Sequence, residues 1–202
     1  MERRLSSLFD EPADATPLAP DAREGLRQSW ITHRGDLNIA EERNIVAGAA
    51  WGRRHLARWP AHLLTVAFAN DLHRHMLGEV WRWAGRYRTT ARNIGIEAAR
   101  IPAEMPMVFD DVRYWLDART YPVDEIAVRL HYRLVAVHPF PNGNGRHARL
   151  MADLLMARQG QVPLTWGSGN LRDTGSLRKA YVAALRAADS HDLAPLVVFA
   201  RS

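Results

Sequence analysis

The sequence is poor in three features that mark common protein classes: it has no cysteine, a single lysine and no long apolar run. Without cysteine, the chain forms no disulfide and has no thiolate for nucleophilic catalysis or metal binding. The N-terminus lacks an apolar core of signal-peptide length, and no later stretch reaches the roughly 18 apolar residues of a membrane span. We therefore expect a soluble protein of a reducing, cytoplasmic compartment that does not enter the membrane.

The positive charge comes almost entirely from arginine, because Lys179 is the only lysine among 27 basic residues. The formal net charge is +5 and the pI is about 10.2. Basic proteins often bind nucleic acid or other anions, but these arginines are scattered and form no run of like charges. An excess of arginine over lysine more often reflects the codon composition of the gene than a binding surface. We expect no dedicated nucleic-acid surface, and nucleic-acid binding stays open as an alternative that only the pI supports.

Apolar residues recur at three- and four-residue spacing along most of the chain, which predicts helices. The predicted helices cover residues 39–57, 61–77, 102–119, 123–137, 145–158, 174–188 and 192–200. Near the N-terminus, Pro12, Pro17 and Pro20 favour an extended arm. The length of 202 residues suits one domain. We divide the chain into an N-terminal arm at 1–38, with a short helix as an option, and a helical domain at 39–202.

Residues 80–102 interrupt the helical pattern. The segment has two tryptophans and two glycines, and it shows no helical period. Tyr87, Thr89 and Ile94 favour extended backbone. We predict a short β-hairpin here, within a fold that is otherwise all-α.

The stretch VHPFPNGNGRHARL, residues 137–150, carries more polar chemistry than a turn between two helices needs. Gly143 and Gly145 allow the backbone to approach a ligand closely. The next helix is predicted to begin at Gly145, and its free N–H groups and dipole form an anion site. Arg146 and Arg149 share one face of that turn and can bind phosphate in a fork. Together these features predict a polyphosphate site.

His138 lies near the start of this stretch, where the preceding predicted helix ends. An imidazole with a pKa near neutrality can take a proton from a hydroxyl. A base beside a polyphosphate site suggests transfer of a nucleotidyl or phosphoryl group to a hydroxyl. Each part also has a structural interpretation, because lone histidines are usually structural, Asn-Gly usually forms a turn, and Arg149 could pair with Asp153. The joint spacing is what favours a functional site.

The same stretch resembles the signature of Fic proteins, His-x-Phe-x-Asp/Glu-Gly-Asn-Gly-Arg-x-x-Arg. The matching positions are His138, Phe140, Gly143, Asn144, Gly145, Arg146 and Arg149, and Asn142 stands at the acidic position. Further similarity lies in HYRLVAVHPF before the loop, in WRWAGRYR before the predicted hairpin, and in Tyr181, Leu185 and DLAPLVVF near the C-terminus. The resemblance covers roughly residues 40–200 and looks closest to the bacterial subgroup called mobile mystery protein B.

This resemblance implies a mostly helical Fic-type bundle with a hairpin "flap", and an enzyme that moves AMP from ATP to a serine, threonine or tyrosine hydroxyl of a target protein. His138 would act as the base and Arg146 as its catalytic partner on the phosphates. The implied nucleotide-binding residues are Asn142, Gly143, Asn144, Gly145, Arg146 and Arg149. The implied target-binding flap residues, which would add the target's backbone as a strand, are Thr89, Thr90, Ala91, Arg92, Asn93 and Ile94.

Asn142 departs from the family pattern, where an acid usually binds Mg²⁺. An amide oxygen offers a dipole to a hard cation, whereas a carboxylate offers a full charge. We therefore expect weak Mg²⁺ binding at Asn142, with the ion held largely by ATP phosphates and water. Two alternatives stay open: a Fic enzyme with a different phosphate-containing donor, and a catalytically weak scaffold that binds nucleotide or a partner protein.

The sequence says least about how the protein is regulated and which partners it binds. Many Fic proteins are inhibited by a helix with Ser/Thr-x-x-x-Glu-Gly/Asn, and the stretch from Thr32 to Asn38 is a near match with Asp36 at the acidic place. Asp36 is thus a candidate inhibitory residue toward Arg149, and its alternative role is to cap the following helix. The resemblance also suggests a toxin or a regulator with a separate antitoxin or a helix-turn-helix partner. A homo-oligomer is left open.

Overall fold

The structure, a computed structural model, describes residues 25–92, 94–167 and 174–202. Seven α-helices make up most of it, and no strand is present in the described ranges, so the prediction of a mostly helical chain is confirmed. The helices are α1 Arg34–Arg58, α2 Val66–Leu77, α3 Ile101–Asp117, α4 Val123–Val137, α5 Asn144–Arg158, α6 Thr174–Asp189 and α7 Ala194–Arg201. Two 3₁₀ turns, Pro60–Leu64 and Ala98–Arg100, precede α2 and α3.

The predicted β-hairpin is wrong. Between α2 and α3 the described residues form turns, bends and the 3₁₀ turn, without paired strands. An isolated antiparallel bridge between Leu26 and Trp81 is the β-type pairing found there. The backbone groups that a hairpin would pair across a ladder are instead bonded to a buried side chain, that of Arg88. Thr89 and Ile94 favour extended backbone, but the segment is irregular. The reason is that the Arg88 side chain, and not a partner strand, provides its hydrogen bonds.

Helix α1 begins at Arg34, ahead of the predicted start at Ile39. The first part of the predicted arm, residues 1–24, lies outside the described residues. The inward face of α1 also differs from its most apolar stripe, because Ile39 and Val46 are exposed whereas Glu41 and Asn44 are buried. Polar residues therefore occupy core positions on α1, which is a first sign that this face serves a site.

Close helix pairs build the core. Helix α1 packs along α2 and α4 packs along α5. A Cβ on Gly48 of α1 would lie 2.6 Å from the backbone of Met76, so glycine is what allows α1 and α2 to touch. The inward prediction for Met151, Leu154 and Leu155 of α5 is confirmed by their burial. The α4–α5 pair matters most for function, because the motif loop, residues 138–143, connects these two helices.

None of the helices in the described ranges combines the length and the apolar character that crossing a membrane requires.

Candidate active site

The motif loop ends in a left-handed glycine that starts α5. Gly143 is the N-cap residue, with φ of 77°. A Cβ there would lie 2.5 Å from Cδ1 of Leu77, so a substitution would shift this side chain and strain the left-handed backbone. The next three residues, Asn144, Gly145 and Arg146, form the first helical turn, whose N–H groups have no acceptor within the helix. Their N–H groups and the helix dipole make this turn an anion cradle.

Asn144 fastens the loop to itself. Its Nδ2 donates to the carbonyl oxygen of Phe140 at 2.8 Å, and its Oδ1 accepts from the N–H of Phe140 at 2.9 Å. The side chain is buried, with both amide atoms occupied. Asn144 therefore shapes the loop for a ligand through the backbone of Phe140, and its predicted direct contact with phosphates stays a prediction.

Gly145 borders open space. A Cβ on this residue would come no closer than 3.9 Å to its nearest neighbour, the hydroxyl of Tyr181. The fold by itself therefore tolerates a side chain at this position. A bound ligand against the first turn of α5 supplies a physical reason for glycine here.

His138 caps α4 in a strained conformation. Its φ of 52° and ψ of 59° place it in the left-handed region, which costs a non-glycine residue about 1 kcal/mol or more. Its N–H donates to the carbonyl oxygen of Leu134 at 3.0 Å, which closes the helix. The conformation turns the chain sharply from α4 into the motif loop, and it leaves the imidazole half-buried beside that loop.

Arg88 holds this corner together, and sequence reasoning missed it. Its Nε donates to the carbonyl oxygen of His138 at 2.7 Å, and its Nη1 donates to that of Thr90 at 3.0 Å. Its Nη2 donates to the carbonyl oxygen of Ile96 and lies 3.5 Å from that of Val137. The side chain is buried. One guanidinium thus joins the end of α4 to the segment between α2 and α3.

The environment of His138 favours its neutral form. Burial lowers the pKa of the imidazole, and the guanidinium groups of Arg88 and Arg92 lower it further. The carbonyl of Val135 opposes this shift without reaching hydrogen-bond geometry, and the buried Nδ1 has no hydrogen-bond partner in the described part of the chain. A neutral imidazole at pH 7 is ready to accept a proton, which is the state a general base needs.

Arg146 forms an ion pair with a buried carboxylate. Its Nη2 lies 2.7 Å from Oε2 of Glu41 on α1, and the other oxygen of Glu41 accepts from Nε1 of Trp81 at 2.7 Å. This explains why α1 turns a glutamate toward the core. Arg146 keeps part of its surface exposed, so its remaining N–H groups stay available to a ligand.

Arg149 lies one helical turn further along α5 and packs against α6. Its guanidinium carbon is 5.0 Å from the centre of the Tyr181 ring. Its Nε is buried without a hydrogen-bond partner among the described residues. The hydroxyl of Tyr181 is 3.0 Å from Nε2 of His131, a buried histidine. Within the described chain, Arg149 forms no ion pair with Asp153, whose oxygen instead accepts from the indole of Trp166 at 3.0 Å.

His73 supports the motif loop from behind. Its Nδ1 accepts from the N–H of Gly85 at 2.9 Å, which places the proton on Nε2, and Nε2 donates to the carbonyl oxygen of Asn142 at 3.0 Å. Its ring stacks on Phe140 with centroids 3.7 Å apart. Burial, with a smaller contribution from His147, lowers the pKa of His73 to about 3. His73 is therefore a neutral structural residue that fixes the loop.

The described residues supply at most one weak side-chain donor to Mg²⁺ at the motif loop. The side-chain oxygen of Asn142 accepts from the N–H of Gly143 at 2.7 Å, which leaves its second lone pair for a cation, and weak Mg²⁺ binding there stays a prediction. The described ranges contain no group of three or more side chains able to hold a metal. Mg²⁺ prefers six oxygen donors with at least one carboxylate.

The candidate inhibitory residue, Asp36, lies beside the N-cap residue of α1. The carboxylate of Asp36 is 3.8 Å from Nδ1 of His33, and the described structure shows no ion pair between Asp36 and Arg149. It sits in the first turn of α1, where a carboxylate favours the helix dipole. Its inhibitory role stays a prediction.

The predicted target-binding segment lies on the surface. Thr89, Thr90, Ala91, Arg92 and Ile94 are exposed, and Asn93 lies outside the described residues. The segment reaches the motif loop, because a Cβ on Gly95 would lie 2.5 Å from Cβ of His138. An exposed strip of backbone thus runs directly beside the histidine.

The sequence of this chain is similar to that of known proteins. The profile of the Fic/DOC family matches residues 63–156. "Protein adenylyltransferase fic-1" of Caenorhabditis elegans is 37% identical over 131 residues, which cover 63% of this chain and 24% of the relative. "Protein adenylyltransferase Fic" of Drosophila grimshawi is 31% identical, over 98% of this chain and 47% of the relative. The chain thus spans less than half the length of these curated relatives.

Solved structures give the same picture of the fold. The structure of Fic-1 from C. elegans, residues 134–508, superposes with a TM-score of 0.58 at 31% identity and covers 80% of this chain and 47% of that one. BepC from Bartonella tribocorum, solved with bound AMPPNP, has a TM-score of 0.60 at 17% identity over 89% of this chain and 95% of that one.

Proposed function

The chain belongs to the Fic/DOC family, and from this premise we propose that it is a protein adenylyltransferase, which transfers AMP from ATP to a serine, threonine or tyrosine hydroxyl of a target protein. One observation carries the proposal: a neutral, half-buried His138 lies at one end of the motif loop and the anion cradle of α5 lies at the other. The similar proteins named protein adenylyltransferase support the same activity.

In this reaction, His138 takes the proton of the target hydroxyl. The oxygen attacks the α-phosphorus of ATP, a new P–O bond forms, and the bond from the α-phosphorus to the bridging oxygen of the β-phosphate breaks. Pyrophosphate leaves with the electron pair of that bond. General-base catalysis of this kind contributes about 10²- to 10⁴-fold in rate.

The first turn of α5 stabilises the charge on the phosphates. The N–H groups of Asn144, Gly145 and Arg146 provide fixed dipoles that need no reorganisation when charge develops. The guanidinium of Arg146, which Glu41 holds in place, adds a positive charge on the same side of the turn. Arg149 has a buried Nε without a partner in the described structure, and we assign it to the outermost phosphate.

We assign the binding of the target protein to the exposed segment beside His138. Thr89, Thr90, Ala91, Arg92 and Ile94 present side chains and backbone to solvent next to the base. A target chain laid along this segment would bring its hydroxyl to His138. Proximity of this sort supplies much of the rate gain in a two-substrate transfer.

A nucleotide-binding scaffold is the second candidate, and Asn142 supports it. In the structure, the amide oxygen of Asn142 is bonded to the N–H of Gly143, at the mouth of the cradle. Such a loop can hold phosphates while offering little to a metal ion. Any Mg²⁺ needed for transfer would then arrive on the nucleotide.

The setting is proposed on sequence grounds alone. The absence of cysteine suits a reducing compartment, and the resemblance to mobile mystery protein B suggests a bacterial toxin or regulator controlled by a separate antitoxin.

The isotope position in ATP tests the proposed reaction. The protein is incubated with a bacterial lysate and ATP labelled at the α- or at the γ-phosphorus, with Mg²⁺ or Mn²⁺. Compared with lysate that lacks the protein, we expect additional label on protein from α-labelled ATP alone. Additional label from the γ-position would show phosphoryl transfer, which contradicts the proposal. If neither labels but Asn142→Asp does so from the α-position, the defect lies in metal binding; if that variant also fails while the protein binds ATP, the scaffold replaces the enzyme.

A further inference from the structure

A second basic cavity lies behind the motif loop, on the far side of His73. It has a volume of about 450 Å³. Its wall includes Gly85, whose N–H donates to His73, while the opposite nitrogen of His73 faces the motif loop through Asn142. The His73 ring therefore separates this cavity from the anion cradle. The residues that line it are Arg27, Arg74, His75, Gly78, Glu79, Trp81, Arg82, Ala84, Gly85 and Arg86.

The charge in this cavity is strongly unbalanced. Four arginines and one acidic residue, Glu79, are among the residues that line it. Arg74 pairs with Asp71 at 2.7 Å. The other three, Arg27, Arg82 and Arg86, form no ion pair with any described residue. Bringing four cations around one concave space costs electrostatic free energy, which an anion in that space would relieve.

Backbone pairing fixes part of this arrangement. The N–H of Arg27 donates to the carbonyl oxygen of Val80, and the N–H of Arg82 donates to that of Gly25, each at 2.8 Å. These two bonds surround the antiparallel bridge between Leu26 and Trp81. The fold therefore places two of the arginines at diagonal positions on either side of this bridge.

We propose that this cavity is a second anion site that binds a phosphate-bearing small molecule of nucleotide size. Its volume falls within the range of small-ligand pockets, about 300–1,000 Å³. Arginine is the side chain best suited to phosphate, because its planar fork donates two parallel hydrogen bonds. The site is distinct from the cradle of α5, and it does not depend on the proposed transferase activity.

The test measures binding of metal-free tripolyphosphate by calorimetry at low salt. Wild type should show two sites, one in the cradle and one in the cavity. Arg149→Ala should retain the cavity site. Adding Arg82→Gln and Arg86→Gln should lower the affinity of that site at least tenfold, and in an otherwise wild-type chain the same pair should remove one of two sites. The matched control, Arg53→Gln with Arg54→Gln on the exposed face of α1, should change affinity less than twofold.

Two further arms identify the ligand. ADP in place of tripolyphosphate shows whether a nucleoside adds to the affinity, and binding of either at the cavity supports the site. A single site in wild type that the cavity substitutions leave unchanged would overturn the proposal. Equal losses in the control pair would do so too, because they would indicate a non-specific basic surface. A single-stranded oligonucleotide that binds at the cavity when tripolyphosphate does not would replace it with nucleic-acid binding.

Discussion

At the scale of single residues, the two glycines of the motif loop have different physical reasons for being glycine. Gly143 adopts a φ of 77° and touches Leu77, so the fold requires it. Gly145 meets open space, so a ligand is the reason for its missing side chain. Substitutions at these two positions therefore test folding and ligand binding separately.

We predict that Gly145→Ala leaves the unfolding free energy unchanged or raises it by up to about 1 kcal/mol, because alanine is the better helix former. The same substitution should weaken ATP binding at least tenfold, because the methyl group occupies space against the phosphates. Gly143→Ala should instead destabilise the fold by about 1–3 kcal/mol. Urea unfolding and calorimetric titration with ATP measure the two effects. If Gly145→Ala bound ATP as tightly as wild type, the phosphates would not lie against this turn.

A second residue-scale prediction concerns the pH dependence of transfer. Burial lowers the pKa of His138 below the ordinary 6.5, so its neutral, active form persists to lower pH than for an exposed histidine. The rate should therefore stay above half of its plateau value at pH 6.5 and fall through its midpoint only on further acidification. A profile of kcat/KM against pH measures this. A fall that is already half complete at pH 7 would show that a different group, or a raised pKa, limits the reaction.

Sequence reasoning reached the residues of the motif loop, because His138, the glycines and the two arginines carry recognisable chemistry at fixed spacing. It did not reach Arg88, Glu41 or His73. Each of these acts on the loop from a distant part of the chain, and its local sequence resembles an ordinary surface. Glu41 left one trace, a charged residue on the face of α1 that also carries the buried Leu37.

At the scale of elements, the segment between α2 and α3 shows how a side chain replaces a strand. Its carbonyl groups at Thr90 and Ile96 are bonded to Arg88, which also holds the carbonyl of His138. The propensity of the local sequence favoured paired strands. It carried no information about the bond from Arg88 to His138, which lies 50 residues away. The helices were predictable because their hydrogen bonds are local; this segment was not, because its bonds are not.

We predict that Arg88→Lys lowers the unfolding free energy by about 1–3 kcal/mol, because one ammonium cannot reach the separate carbonyls that the guanidinium bridges. Transfer should fall more than tenfold as His138 loses its fixed position. Hydrogen exchange should rise in residues 88–97. The matched control is Arg92→Lys, at an exposed position of the same segment, which should change stability by less than about 0.5 kcal/mol. Equal effects of both substitutions would contradict the role given to Arg88.

At the scale of the whole molecule, three buried neutral histidines surround the motif loop and its helices. Burial lowers the pKa of His73 and His131 to about 3 and that of His147 to about 4. The unfolded chain takes up these protons below the ordinary value of 6.5, whereas the folded chain does so only near 3 to 4. The free energy of unfolding is therefore highest above pH 6.5, and it decreases as the pH falls from 6.5 towards the folded pKa values of 3 to 4.

We predict a loss of unfolding free energy of about 3 kcal/mol between pH 6.5 and 5.5, since each histidine contributes about 1 kcal/mol over this interval and approaches about 1.4 kcal/mol per pH unit only at lower pH. His147→Gln, whose amide can still reach the carbonyl of Ala69, should reduce this slope. His62→Gln, at an exposed histidine, should leave it unchanged. Urea unfolding at several pH values measures the slope, and constant stability down to pH 4.5 would contradict neutral burial.

The most direct measurement of the central claim is AMP transfer by His138→Ala, with the ATP affinity of the same protein determined alongside. If His138 is the base and the first turn of α5 holds the phosphates, the variant should bind ATP within about threefold of wild type and lose label from α-labelled ATP by at least about 10²-fold. Label at the wild-type rate from His138→Ala would contradict the assignment of the base, and with it the mechanism proposed for this loop.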